Sequence, residues 1–213
     1  MNYWKDFIEA LQEYRNKFFI GDKKEEKYYL EIYEEIYNLN ILDKANHADS
    51  IRLFLNRWKC HIYPKELFSK LLFDWICDKK SQIDSLKTFN IENLNLVKNL
   101  ENIDILYKSL MDFKDNGIIT MGDAATSKIL HLILPKLFVM WDKNIKPHKG
   151  YLYSDFLIKM NSFAKSVKDD FSKKFPDKNI EGVLREKLEY PIIKTFAKYI
   201  DEFNWYKACG VSR

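Results

Sequence analysis

The chain has 213 residues, 46% apolar and 15% aromatic, with a formal net charge of +4. That much apolar surface supports a packed core and argues against a disordered chain, and six Gly and five Pro supply too few turns for an all-β protein. The absence of a Gly-rich phosphate loop argues against a nucleotide-driven enzyme. The absence of any apolar run near ~18 residues argues against a membrane span.

The opening segment carries Trp4, Phe7, Ile8, Leu11, Tyr14 and Phe18 at three- and four-residue steps, which predicts an amphipathic helix ended by Gly21-Asp22. Its mixed charge is unlike a signal peptide, so a cytoplasmic protein is expected. Tyr28, Tyr29, Ile32, Ile36 and Leu39 predict a second helix with a glutamate-rich wet side. Aromatics at this spacing read as core with hydroxyls at the rim, and a base-stacking platform is the alternative. A third helix is expected from about Asp43 to Trp58. The basic residues Arg52, Arg57, Lys59 and His61 near its end complement the helix dipole. Pro64 suits the start of a fourth helix.

A short helix is expected over 84–89, then a turn at 90–94, then a long helix through Leu100, Ile103, Leu106 and Leu110. Residues 151–175 and 178–207 read as two further long helices, with Pro191 starting or kinking one of them. Together these elements predict an all-α fold of about ten helices. It forms one domain over 1–213, with two helical lobes as the other arrangement. Cys60, Cys77 and Cys209 have no CxxC spacing and read as buried thiols in a reducing compartment. No metal site or cofactor is indicated. The mildly basic balance fits a nucleic-acid partner without requiring one.

The informative stretch is 117–147. A polar turn containing Gly117 and Gly122 precedes a run of small residues, Ala124-Ala125-Thr126-Ser127, that starts a helix. The free amides of such a start favour an anion. Ile129 to Leu134 make the helix nearly all apolar and hence buried, and Pro135 breaks it. Leu137-Phe138-Val139-Met140-Trp141 is an apolar connector, with Asp142 directly after it. An acid emerging there is at the surface, caps a helix, or is functional.

This stretch resembles the helix–hairpin–helix DNA glycosylase superfamily, which contains endonuclease III, adenine glycosylase and the 8-oxoguanine glycosylases. Gly122 stands at the second hairpin glycine, Ala125-Thr126-Ser127 opens the helix, and Asp142 follows Gly122 by twenty positions. The resemblance implies a helix–hairpin–helix element at about 100–134 and a catalytic loop at 135–147. It also implies double-stranded DNA, damaged or intact, as the partner. Asp142 would be the catalytic acid. Thr120, Met121, Gly122, Thr126, Ser127 and Lys143 would contact DNA. Phe138 and Trp141 would line the base pocket, with a core role as the alternative. Thr120 replaces the first hairpin glycine, Asn144 the usual histidine, and Ala124 the lysine of bifunctional members. Base excision would therefore be monofunctional, with Lys128 one turn further along as the residue able to replace that lysine. The function expected is excision of a damaged base. The alternatives are a non-catalytic helix–hairpin–helix DNA-binding module and a helical protein-interaction or defence component.

Overall fold

The structure is a computed structural model that describes residues 2–19, 29–32, 45–60, 62, 65–112, 121–141, 144–145, 152–192 and 194–209. Among these residues there are nine α-helices, one π-helical segment and no strand. Helix α1 spans Tyr3–Tyr14 and continues as the π-helical Arg15–Phe19. It is followed by α2 (Ala45–Arg57), α3 (Lys65–Asp78), α4 (Lys80–Leu86) and α5 (Leu96–Met111). Then come α6 (Asp123–Ile133), α7 (Tyr153–Lys174), α8 (Ile180–Leu188) and α9 (Phe196–Cys209). Residues 29–32 are also helical, with Tyr29 and Ile32 buried. The rest of the second expected helix lies outside the described residues. No described helix is long and apolar enough to cross a membrane.

Helix starts follow local chemistry. Asn2, Asn95 and Asn179 each accept a backbone N–H of the first turn through their side chains, which caps α1, α5 and α8. The N-terminal stripe packs as its spacing predicts. Phe7 meets Phe163 of α7 and Phe196 and Phe203 of α9, with ring centroids 5.8, 5.8 and 5.4 Å away. Helix α1 thus lies against α7 and α9, while α2 pairs with α3 and α5 with α6. Every residue of α6 from Ala125 to Ile133 is buried, as the apolar run over 129–134 requires.

Two expected boundaries differ. The short helix lies at Lys80–Leu86, not 84–89, and begins just after α3 at the non-helical Lys79. Ile83 and Leu86, one turn apart, set its buried side. The single helix expected over 178–207 is two helices. Glu189 adopts a left-handed conformation at φ 49°, and the Tyr190 N–H then bonds Arg185 O at 3.1 Å and the Glu189 N–H bonds Glu186 O at 3.3 Å. This pair of bonds closes α8 in a Schellman motif, and Pro191, which has no N–H, follows it. Helix α2 closes the same way at Lys59, φ 60°, with Cys60 N–H on Leu55 O at 2.9 Å and Lys59 N–H on Asn56 O at 3.0 Å.

Candidate functional site

Helix α6 organises the region singled out by sequence. Residues 113–120, and with them Thr120, lie outside the described residues, as do Asp142 and Lys143. Gly122 is the N-cap of α6, extended at φ −94°, ψ 171°, exposed, and without a side-chain cap bond. Nothing lies within 4 Å of where a Cβ would stand, so neither backbone strain nor a close approach within the chain requires glycine here. Asp123 follows in the first turn, where a carboxylate complements the helix dipole. Its Oδ1 accepts the Tyr107 hydroxyl of α5 at 2.9 Å. Burial first, and the Asp123 charge second, raise Tyr107 well above the usual phenol range.

The connector after α6 leaves a turn at 135–137 and runs through the core without regular secondary structure. Leu137 to Trp141 are all buried. A buried segment of this kind must satisfy its backbone polar groups without a sheet. Here the partners are mostly side chains. The Pro135 carbonyl accepts the Thr195 hydroxyl at 2.7 Å, and the Lys136 carbonyl accepts the Ile91 N–H at 2.9 Å. The Phe138 carbonyl accepts His131 Nδ1–H at 2.6 Å, and the Val139 carbonyl accepts the Tyr153 hydroxyl at 2.8 Å. At Trp141 the Ser127 hydroxyl donates to the carbonyl at 2.9 Å and its oxygen lies 3.0 Å from the amide nitrogen.

This wiring engages several residues expected to meet DNA. The Ser127 hydroxyl is fully buried on Trp141, and the Thr126 hydroxyl lies 3.3 Å from the Met111 sulfur. Met121 is buried as well. Phe138 and Trp141 sit in the core, where Trp141 stacks on Tyr153 at 5.4 Å and Tyr153 stacks on Tyr107 at 4.4 Å. Of the described residues in the expected DNA-contact set, Gly122 alone is exposed.

Helix α9 and the segment before it carry a buried charged cluster that sequence reading missed. Glu202 of α9 joins Lys194 at 2.5 Å, Lys198 at 3.7 Å and the Tyr190 hydroxyl at 3.1 Å. Lys198 also pairs with Asp201 at 2.9 Å and lies 4.6 Å from the Tyr29 ring centroid and 5.3 Å from that of Trp58. His131 bridges this cluster and the connector. Its Nδ1 donates to Phe138 O, so its Nε2 is the acceptor for the Tyr29 hydroxyl at 2.9 Å. Burial is the main cause that lowers His131 to about 4, and the Lys198 charge adds to the effect against the Phe138 bond. The imidazole is neutral at pH 7. Lys128 projects from the same helix, 6% exposed, with its Nζ 3.7 Å from Cys60 Sγ and 5.1 Å from the Trp58 ring centroid.

The sequence signal for the α9 cluster is masked by its own spacing. Lys194, Lys198, Asp201 and Glu202 at three- and four-residue steps read as a solvated, salt-bridged face. What betrays burial is that Phe196, Ala197, Tyr199 and Ile200 occupy the remaining directions, so the helix start is enclosed all round. Among the described residues no group of three or more His, Cys, Asp or Glu side chains is placed to hold a metal ion.

What the fold and the site define is an α-helical protein built around a buried helix, with a side-chain-wired connector and a buried ion cluster that meet at His131. No protein-family model matches the chain, nor does any curated protein or solved structure that was searched.

Proposed function

We propose that the chain is a DNA-binding protein of the helix–hairpin–helix glycosylase type, which meets the phosphate backbone at the start of α6 and excises a base with Asp142. One observation carries this reading. The Ser127 hydroxyl ties both backbone groups of Trp141 to the second turn of α6. The connector therefore returns to within a few residues of the exposed, uncapped Gly122. Asp142 follows Trp141 directly in the sequence. An acid brought close to a helix start that holds a phosphate is what this chemistry would need. The helix amides hold the backbone, the target base is flipped out of the stack, and the carboxylate stabilises the cationic sugar as the N-glycosidic bond breaks. Water completes the hydrolysis, and the base leaves with the bonding electron pair.

The test is base release from a panel of damaged duplex oligonucleotides by the wild-type chain and Asp142→Asn. The expected result is release by the wild type and none by the variant, with duplex affinity retained. Ala124 at the family's lysine position means that strands break only after alkali or heat. Gly122→Glu adds bulk and negative charge at the open helix start. It should lower affinity for every duplex sequence and reduce the salt dependence of binding. Release at full rate by a folded Asp142→Asn chain overturns the catalytic role. Unchanged affinity of Gly122→Glu at low salt overturns the proposed contact.

A second reading, DNA binding without excision, is favoured by the burial of Phe138 and Trp141. Both rings are used inside the core, which leaves neither as a stacking surface for a flipped base. Duplex binding with no release from any tested lesion would favour it.

A further inference from the structure

We draw no further inference here: the strongest candidate, the surface groove between α1 and α9 lined by Asp6, Glu9, Glu13, Tyr206 and Lys207, is a cluster of exposed carboxylates in which no lining residue has a buried side-chain atom without a partner, and nothing in the structure shows what fills it.

Discussion

On the connector flank of α6, buried polarity is handled by neutral hydrogen bonds. Ser127, Tyr153, Thr195 and His131 each give a proton to a carbonyl between Pro135 and Trp141. On the α9 flank it is handled by full charges, with Lys194, Lys198, Asp201 and Glu202 paired in a space closed to solvent. The neutral bonds fix the position of a backbone that has no sheet to hold it. Each is worth ~1 kcal/mol, and more if its loss orphans a buried group. The charged cluster has the opposite balance. Its members attract strongly, but their removal from water is costly, so the intact cluster adds little net stability while a broken one is very unfavourable. The first flank specifies where a segment runs, and the second penalises any departure from a complete set of partners.

The largest effect should come from breaking the charged flank. Glu202→Ala leaves Lys194 and Lys198 without a shared carboxylate and should cost ~3–5 kcal/mol in chemical denaturation. Replacement of Lys194, Lys198, Asp201 and Glu202 together by apolar residues of similar volume should cost much less. Equal losses in the two variants would mean that the pairing is worth more than its desolvation.

His131 couples the two flanks and should appear as pH dependence. Its folded value of about 4 lies below the unfolded value of 6.5. Above pH 6.5 both states are neutral and nothing is lost. As pH falls from there, the unfolded chain binds a proton that the native imidazole refuses. Stability therefore declines until about pH 4, by ~3 kcal/mol in all. Denaturation midpoints measured over that range should fall more steeply for wild type than for His131→Gln.

On the neutral flank, Ser127→Ala removes both fasteners of Trp141 and should cost about 2 kcal/mol, with a water entering the vacated hydroxyl volume as the limit on the loss. Near-UV dichroism from the Trp141–Tyr153 stack should change with it. The smallest effect lies outside both flanks. Lys59 holds a left-handed conformation that costs a β-carbon-bearing residue ~1 kcal/mol, so Lys59→Gly should be neutral to slightly stabilising in the same assay.

The helical class, the burial of residues 129–134 and the break at Pro135 were legible because they rest on apolar spacing and on a missing N–H, both local properties. The break at Glu189 was not legible. A left-handed non-glycine residue leaves no trace in composition, and Pro191 marked only the neighbourhood. Thr126 and Ser127 were expected to contact DNA because a helix start with free amides favours an anion. What turned them inward was the return of the connector, a contact across fourteen positions for Ser127 and Trp141. Arg52, read as one of several cations at the end of a helix, is buried and paired with Asp49 at 2.8 Å. Of the expected site, Asp142, Lys143 and Thr120 lie outside the described residues.

The wiring of the connector also bears on how this protein can change over generations. In a sheet, a strand is held by backbone groups that no point substitution can remove, proline aside. Here most of the corresponding bonds come from side chains, each encoded by its own codon. A one-residue insertion within 135–141 would bring the wrong carbonyl to each donor at once, whereas substitutions at Ser127, His131, Tyr153 or Thr195 would loosen the thread one stitch at a time. Drift in this part of the chain should thus proceed by exchange of donors at constant length, with segment length the more strictly inherited trait.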